Sequence, residues 1–198
     1  MSAFVHLSRN PYKQLMWLWV CRLMKESRSY HRGLDLACGE LKTFKYFQTK
    51  EYLGVDADES RVTFARQKFG VPVIVSRLEE LPDKLSGDFV VCLQTIGFNK
   101  HFDISHAVEV VRRCVLATSP IGMLLINATR LSQRQFAESE AILRNDFETV
   151  EIRQYGLSKT SMPKALSLLV ACFGLIWPDI AKKSDSPAWL FICRTRKG

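Results

Sequence analysis

The sequence contains no Cys-x-x-Cys pair and no cluster of cysteine and histidine at the spacing of a zinc site. Its six cysteines are far apart, and most of them lie inside apolar stretches such as "VVCL". Isolated cysteines of this kind are typical of reduced thiols that pack as small hydrophobic residues in a cytosolic protein. We therefore expect no disulfide framework and no metal site.

No apolar run in the sequence is long enough to span a bilayer. The stretch "LMWLWVC" is followed at once by Arg22 and has no small-residue cleavage site, so it does not match a signal peptide. The longer stretch "ALSLLVACFGLIW", ahead of Pro178, has the length of a buried or interfacial helix. These features predict a cytoplasmic protein without a targeting signal.

Several well-known catalytic loops are also missing. The sequence has no Gly-x-Ser-x-Gly elbow and no Gly-x-x-x-x-Gly-Lys-Ser/Thr loop, which argues against a serine hydrolase and a P-loop nucleotidase. The adjacent carboxylates Glu79 and Glu80 point apart on a helix, which argues against hydrolysis by paired carboxylates. Glycine is scarce in "LDLACGELKTF", residues 34–44, where the pattern of a strand, a tight turn and a helix keeps only Gly39.

The sequence does have a regular alternation of strand and helix patterns. Apolar stretches rich in β-branched residues alternate with helical patterns such as "SHAVEVVRRCVLAT". This alternation predicts an α/β domain with a mostly parallel sheet and helices on both faces. At 198 residues we expect one domain, 1–198. The predicted strands are "RGLDLA", "EYLGVD", "VPVIVS", "DFVVCL", "GMLLIN", "FETVEIRQY" and "WLFICRT".

Two segments lie outside the alternation. Residues 4 to about 26 are predicted to form a helix that is opened by "SRNP", with Pro11 in its first turn. Residues 156–187 form an insertion between the last two predicted strands, and this insertion contains the apolar helix.

The turns after the first four predicted strands are the places to look for a ligand. In a doubly wound sheet, ligands bind beyond the carboxyl ends of the strands, where the strand order reverses. Gly39 follows the first strand, and Asp56 follows the second strand 17 residues further along. An acid at this distance is suited to the two hydroxyls of a nucleoside ribose. "SRLEELP" and "LQTIGFNKHF" follow the third and fourth strands.

In their order and spacing, these motifs resemble the class I S-adenosylmethionine-dependent methyltransferases, in particular the small-molecule, type 11-like members with "DxGCGxG…GVDxS…DxxxLP…DxVxxxxxxxH". The resemblance runs from Arg32 to Asn127. It implies S-adenosyl-L-methionine as the cofactor and a Rossmann-like, seven-stranded sheet with one antiparallel strand, its last strands at 147–155 and 188–196. The expected parts are a helical lid (1–30), a cofactor-binding core (31–128) and a C-terminal part (129–198) with the apolar insertion.

The resemblance also implies which residues contact the cofactor. Asp35 would anchor the first loop and orient the methionine amine, and Asp56 would bind the ribose hydroxyls. The other expected contacts are Ala37, Cys38 and Gly39 in the first loop, Ala57 beside the adenine, Arg77 and Leu78 along the adenine edge, and Leu93 and Gln94 at the methionine end.

The chain departs from the family pattern at three positions. Ala37 and Leu41 stand where many relatives have glycine, but S-adenosylmethionine carries no phosphate, so one close backbone approach at Gly39 suffices. Arg77 stands where many relatives have an acid that accepts from the adenine amino group. Because arginine cannot accept a hydrogen bond, Glu79 or a backbone carbonyl must take that role.

For the chemistry, we expect O-methylation with His101 as the base. Methyl transfer is a direct displacement, so the protein must align the acceptor and, for a hydroxyl, remove its proton. His101 lies in the loop after the fourth strand. The residues expected to contact the acceptor are Tyr12 and Trp19 in the N-terminal helix, Asn99 and His101 in the loop, and Tyr155. N-methylation would need no base.

The expected acceptor is a small molecule, a glycan or a lipid-linked compound. The net charge of +8 would suit RNA, but the fourth strand ends in "LQTIGFN" and not in the Asn/Asp-Pro-Pro-aromatic turn of methyltransferases that act on bases. We therefore do not expect a nucleic-acid partner, and RNA methylation is kept only as an alternative. A second alternative is a cofactor-fold protein that binds or regulates without catalysis. The lysines around the apolar helix suit anionic headgroups and indicate a peripheral contact with the inner face of a membrane; they are Lys159, Lys164, Lys182 and Lys183.

Overall fold

The computed structural model describes residues 8–41, 43–156, 162–176 and 187–197. Over these residues the chain forms one seven-stranded sheet and five α-helices. The strands are β1 (Arg32–Leu36), β2 (Glu51–Asp56), β3 (Val73–Val75), β4 (Gly87–Ile96), β5 (Thr118–Thr129), β6 (Phe147–Gly156) and β7 (Pro187–Arg196). The helices are α1 (Pro11–Met24), α2 (Glu59–Phe69), α3 (Ala107–Leu116), α4 (Gln133–Asp146) and α5 (Lys164–Ile176).

The order of the strands across the sheet is β3-β2-β1-β4-β5-β7-β6. Only β7 runs antiparallel to its neighbours, β5 and β6, so the predicted sheet with a single antiparallel strand is confirmed. The chain leaves β1 in one direction to β2 and β3, and returns to the other side of β1 as β4. This reversal opens a crevice at the carboxyl ends of β1 and β4.

The two faces of the sheet bury alternate residues of the same strands. Val90 and Cys92 of β4 pack on the face that is covered by α3 and α4, whereas Phe89 and Val91 pack on the face that is covered by α1. All four side chains are fully buried. Burial on both faces explains why "FVVCL" is apolar throughout and does not alternate with polar residues.

The N-terminal helix begins at Pro11, later than the predicted start at residue 4. Asn10 is in the extended conformation that the residue before a proline prefers, and its side chain accepts from the backbone N–H groups of Tyr12 and Lys13. Residues 1–7 lie outside the described part of the chain. α1 contacts both the sheet and α5, and this double burial accounts for the width of its apolar stripe, including Trp17.

The helix that the pattern predicts after β1 does not form, and among the described residues the connection to β2 contains only a short 3₁₀ turn (Phe44–Tyr46). The aromatic residues of this connection have weak helix propensity and pack as anchors instead. The ring centroids of Phe44 and Tyr52 are 4.8 Å apart, and those of Phe47 and Phe89 are 5.8 Å apart. The ring of Phe47 also fills the space beside Gly33, where an added Cβ would lie 2.5 Å from it.

The apolar insertion is described only in its centre, as α5. Its flanking segments, 157–161 and 177–186, lie outside the described residues, and with them Lys159, Pro178, Lys182 and Lys183. In the part of the chain that the structure describes, no helix has both the length and the apolar character that crossing a membrane requires.

Candidate functional site

A cavity of about 530 Å³ lies at the carboxyl ends of the strands, at the crevice that the topology predicts. It brings together the turns that follow β1, β2, β3 and β4. Its lining residues are Ala37, Asp56, Ala57, Asp58, Arg61, Ser76, Arg77, Leu78, Glu79, Gln94, Thr95, Asn99, His101, Phe102 and Asp103. The cavity has the size of a small-molecule or cofactor site.

Every second residue in the loop after β1, from Ala37 to Leu41, has a left-handed backbone conformation. Ala37, Gly39 and Leu41 have φ values of 58°, 54° and 58°. Ala37 and Leu41 are the two positions where the sequence departs from glycine, and the chain keeps the left-handed conformation there despite the Cβ atoms. Leu41 is buried against α2, and this packing offsets the cost of its left-handed backbone, whereas Ala37 lines the cavity.

Replacing Ala37 with glycine should therefore raise the stability of the protein. Glycine removes the left-handed strain at φ 58°, and we expect the free energy of unfolding to rise by about 0.5 to 1 kcal/mol. Ala137→Gly is the matched control, because Ala137 is exposed within α4 and the same change should lower stability by about 1 kcal/mol there. Urea unfolding of both variants measures the two values. A loss of stability in both would show that Ala37 is not strained.

Asp56, at the end of β2, ties the first loop to the second. It is 7% exposed and lines the cavity. Its Oδ2 accepts from the Gly39 N–H at 2.7 Å, and its Oδ1 accepts from the Asp58 N–H at 3.0 Å. A carboxylate has about four lone-pair positions, so each oxygen can accept one further hydrogen bond from a ligand.

Asp35 lies under the first loop and does not line the cavity. Its Oδ2 accepts from the hydroxyl of Thr43, in the same loop, and from the hydroxyl of Tyr52 at 3.0 Å. These contacts let Asp35 hold the loop in place, while a contact with a methionine amine stays a prediction. Because the carboxyl group is almost completely buried, loss of hydration raises its pKa to about 7 despite the two hydrogen bonds that favour the charged form.

The raised pKa of Asp35 predicts a pH-dependent stability. An aspartate in the unfolded chain titrates near pH 3.9, so between about pH 4 and pH 7 the folded protein binds more protons than the unfolded chain. Stability contributed by Asp35 should therefore fall as the pH rises through this window. Between about pH 5 and pH 8, wild type should lose about 2 kcal/mol relative to Asp35→Asn, measured by urea unfolding. Parallel pH profiles of the two proteins would contradict the raised pKa.

At the end of β4, Gln94 has a left-handed backbone, with φ 61°. The strand shifts its register against β5 between Cys92 and Ile96, as in a β-bulge. The Gln94 N–H donates to Oδ1 of Asn127 at 2.6 Å, and the Asn127 amide donates to the Tyr155 hydroxyl at 3.0 Å. The Gln94 side-chain Nε2 is buried and has no hydrogen-bond partner among the described residues, although Gln94 lines the cavity.

Gly97 closes this turn, and no residue with a Cβ atom fits at its position. It has φ 73°, and an added Cβ would lie 2.0 Å from the carbonyl oxygen of Thr129 in β5. The turn that carries Asn99 and His101 therefore starts from a backbone contact that only glycine permits.

Arg77 and Glu79 share the cavity wall after β3. The Arg77 side chain is 61% exposed, with Nη2 3.6 Å from Glu79 Oε1 and Nε 3.9 Å from Glu80 Oε1. The Glu79 side chain is only 20% exposed and lines the cavity beside Leu78. Glu79 therefore places a carboxylate on the cavity wall two residues after Arg77, and its role as the acceptor for the adenine amino group stays a prediction.

His101 and Asn99 lie at the rim of the cavity, after β4. The His101 backbone N–H donates to the Asn99 side-chain oxygen at 3.0 Å, which fixes the turn. Asp103 lines the same wall and accepts from the Ser105 N–H at 2.9 Å, and hydrogen bonding from Ser105 holds the pKa of the Asp103 carboxyl below its usual value. The His101 side chain is exposed, so it is accessible to an acceptor that enters from solvent.

The remaining predicted site residues lie away from the lining of this cavity. Cys38 is buried against Val62 of α2, and burial raises the pKa of its thiol. Leu93 packs on the α1 face of the sheet. Tyr12 and Trp19 of α1 and Tyr155 of β6 belong to the same apolar cluster, and Tyr155 is fully buried. Their expected contacts with an acceptor stay predictions.

Three residues that shape the site were not predicted from the sequence. Asp58 caps α2, and its carboxylate lies 3.3 Å from Nε of Arg61, which also lines the cavity. Both follow the second strand, so the strand-end rule could have found them. Asn127 is fully buried. A single amide side chain inside the apolar run "GMLLINAT" was the sequence feature that could have indicated a buried hydrogen-bonding role for it.

Residues 34–126 match the family described as a methyltransferase domain. The match begins in β1 and ends in β5, and so spans every turn that lines the cavity. A search of curated proteins finds no match to the chain.

Many solved structures share the fold, and three of them illustrate the range. A SAM-dependent methyltransferase from Archaeoglobus fulgidus is 18% identical, with a TM-score of 0.58, and the similarity covers 95% of each chain. The N-methyltransferase NodS from Bradyrhizobium japonicum WM9, in complex with S-adenosyl-L-homocysteine, is 14% identical (TM-score 0.61; 94% of this chain and 88% of NodS). The [4+2]-cyclase SpnF is 14% identical (TM-score 0.53; 90% of this chain and 82% of SpnF). At these identities the likeness establishes the fold, and the site must supply the argument for function.

Proposed function

We propose that this chain, a class I S-adenosylmethionine-dependent methyltransferase by its methyltransferase domain and its fold, uses the cavity at the carboxyl edge to methylate a hydroxyl of a small, glycan-borne or lipid-linked acceptor. The observation that carries the proposal is that one cavity holds the ends of β1, β2, β3 and β4, with Asp56, Gln94 and His101 on its walls. The structural relative NodS supports the cofactor, since it was crystallised with S-adenosyl-L-homocysteine.

The residues of the cavity fit S-adenosylmethionine. Asp56 retains acceptor capacity for ribose hydroxyls, and the buried, unpartnered Nε2 of Gln94 is a donor suited to the methionine carboxylate. An added Cβ at Gly39 would meet only the Arg61 guanidinium, at 3.8 Å, so the loop borders open space. Ala57 and Leu78 offer apolar surface to the adenine, and Glu79 offers an acceptor for its amino group.

When bound, the cofactor supplies a methyl group on a sulfonium, whose C–S bond breaks as the acceptor oxygen forms its bond to carbon. His101 takes the proton of the acceptor hydroxyl, because its side chain is exposed at the rim and can reach an acceptor that enters from solvent. Asn99 fixes the turn that carries His101, and we assign it to orienting the acceptor. N-methylation remains the closest variant, since a neutral amine would need only the cavity and its alignment.

Binding without methyl transfer is the second candidate. The fold alone does not establish methyl transfer, because SpnF shares this fold and is named a [4+2]-cyclase. Strain at Ala37 and the exchange of an acid for Arg77 are the features of this chain that suit a binding or regulatory protein. RNA methylation rests on the net charge of +8 alone.

Three measurements separate these candidates. Calorimetric titration with S-adenosylmethionine should give a binding isotherm, and the absence of binding at millimolar cofactor would end the enzyme hypothesis. Release of S-adenosyl-L-homocysteine on addition of hydroxyl-bearing lipids, glycans or small molecules then distinguishes the enzyme from a binding protein. Steep salt dependence of RNA binding would favour the RNA alternative.

A further inference from the structure

A buried amide lies close to the cavity, inside an apolar layer. Met123 and Leu125 of β5 pack on the face of the sheet that is covered by α1, and so does Leu190 of β7, which is paired with Asn127. Because side chains two positions apart share one face of a strand, Asn127 points into the same apolar cluster. Asn127 is fully buried. A polar group in such a place costs free energy unless it is hydrogen-bonded.

Asn127 lies opposite the bulge at the end of β4. This strand pairs with Ile126 before the bulge and with Ala128 after it, so three residues of β4 lie opposite Asn127 alone. A bulge interrupts the ladder of backbone hydrogen bonds and leaves the extra residues unpaired. Gln94 is the middle residue of the three, and its N–H donates to Oδ1 of Asn127 at 2.6 Å. The side chain of Asn127 therefore holds the backbone where the ladder is interrupted.

Hydrogen bonds on both sides fix the orientation of this amide. A backbone N–H can only donate, so the oxygen of the Asn127 amide must face Gln94. The amide nitrogen then faces Tyr155 and donates to its hydroxyl at 3.0 Å. Tyr155 is fully buried, and its ring meets the ring of Trp19 in α1 edge to face, with the centroids 6.3 Å apart. Tyr155 is thus packed firmly enough to hold the amide in one orientation.

The turn that Asn127 holds is strained and borders the cavity. Gln94 has φ 61°, a conformation that a residue with a Cβ keeps only where the surrounding structure imposes it. The Gln94 side chain lines the cavity, and its buried Nε2 has no hydrogen-bond partner among the described residues. A change in the backbone of this turn would redirect the side chain that we assign to the methionine carboxylate.

We propose that Asn127 is a positioning residue for the cofactor, which holds the Gln94 turn so that the Gln94 side chain reaches the amino-acid part of S-adenosylmethionine. Tyr155 keeps the Asn127 amide in the required orientation. Neither Asn127 nor Tyr155 lines the cavity, so both act through Gln94. The inference rests on the proposed function, because it requires that S-adenosylmethionine binds in this cavity.

Calorimetric titration with two matched ligands tests this role. S-adenosyl-L-homocysteine carries the amino-acid part, whereas 5′-methylthioadenosine lacks it and keeps the adenine, the ribose and the sulfur. Asn127→Leu leaves the Gln94 N–H without its acceptor, so the affinity for S-adenosyl-L-homocysteine should fall about tenfold or more. The affinity for 5′-methylthioadenosine should stay within about twofold of wild type. Tyr155→Phe keeps the buried ring and should weaken S-adenosyl-L-homocysteine binding about threefold, with the same selectivity.

A double-mutant cycle shows whether Asn127 acts through the Gln94 side chain. Gln94→Ala alone should weaken the binding of S-adenosyl-L-homocysteine. Adding Asn127→Leu to this variant should weaken it by less than about twofold more, because the side chain that Asn127 positions is already missing.

Thr118→Val is the matched control. Thr118 lies at the other end of β5, is buried, and donates from its hydroxyl to the Cys114 carbonyl at 2.7 Å. Valine removes a buried hydrogen bond from the same strand, so the protein should unfold at a lower urea concentration. The affinities for both ligands should stay within about twofold of wild type, since the change is far from the Gln94 turn.

Equal losses of affinity for the two ligands in Asn127→Leu, or additive losses in the cycle, would overturn the proposal, because Asn127 would then support only the fold. If Asn127→Leu does not fold, Tyr155→Phe decides, and equal changes for both ligands or no change would overturn the proposal. A wild-type protein that binds neither ligand would remove the proposed function together with this inference. Wild-type binding that the variants leave unchanged would remove the inference alone.

Discussion

Replacing His101 with alanine should lower the rate of methyl transfer to a hydroxyl acceptor by about a hundredfold or more. The variant loses the group that we propose as the base for the acceptor hydroxyl, while the cavity keeps its other walls. Affinity for S-adenosylmethionine should stay unchanged, because the resemblance places no cofactor contact at His101. Single-turnover release of S-adenosyl-L-homocysteine measures the rate, and calorimetry measures the affinity.

His106→Ala is the matched control for this variant. His106 is also exposed, lies five residues further along the chain, and has its Nε2 3.8 Å from Asp103, but it does not line the cavity. Its removal should leave the rate within about twofold of wild type, since it contacts no reacting group. A near wild-type rate for His101→Ala would make His101 a surface residue. With an amine acceptor, the same result would favour N-methylation.

Replacing Asp56 with asparagine should weaken S-adenosylmethionine binding by about 1 to 3 kcal/mol, which corresponds to roughly fivefold to 150-fold. In the proposed complex, the change removes the charge that would strengthen hydrogen bonds from the ribose hydroxyls. It also replaces one of the oxygens that now accept from the N–H groups of Gly39 and Asp58, so the loop itself becomes less well held. Both effects should weaken the binding of S-adenosylmethionine.

Asp58→Asn is the control that separates the site from the general charge of the cavity. Asp58 also lines the cavity, but its carboxylate is paired with Arg61, and asparagine caps a helix as well as aspartate does. Its cofactor affinity should remain close to that of wild type. Equal losses at Asp56 and Asp58 would indicate that only the summed negative charge matters, and unchanged affinity in a folded Asp56→Asn protein would refute the assignment to the ribose.

The sheet could be predicted from the sequence because its signals are local and repeated. Short apolar runs such as "VVCL" are typical of strands buried on both faces, and their alternation with helices predicts that neighbouring strands run parallel. The 3₁₀ turn after β1 could not be predicted, because the packing of Phe47 against Phe89 and under Gly33 overrides the local pattern. The start of α1 was misplaced, although Pro11 and the capping Asn10 mark it.

The site could be predicted where it follows from strand order, as at Asp56, Ala57, Arg77 and Gln94, all of which line one cavity. The backbone conformation of the first loop could not be predicted, because alanine and leucine rarely adopt the φ near 58° that Ala37 and Leu41 have. The role of Asn127 was also hidden, because its bond to the Gln94 N–H joins residues 33 positions apart. The acceptor contacts of Tyr12 and Trp19 stay predictions, because an aromatic helix face has the same sequence pattern whether it lines a pocket or fills a core.

The most direct test of the central claim is a crystal structure of the protein grown with S-adenosyl-L-homocysteine. We expect the ligand in the cavity at the carboxyl edge, with its ribose hydroxyls on the Asp56 carboxylate, its adenine beside Ala57 and Leu78, and its amino-acid end at Gln94. Density for the ligand at another place, or none in the cavity at millimolar ligand, would contradict the assignment of this cavity as the cofactor site.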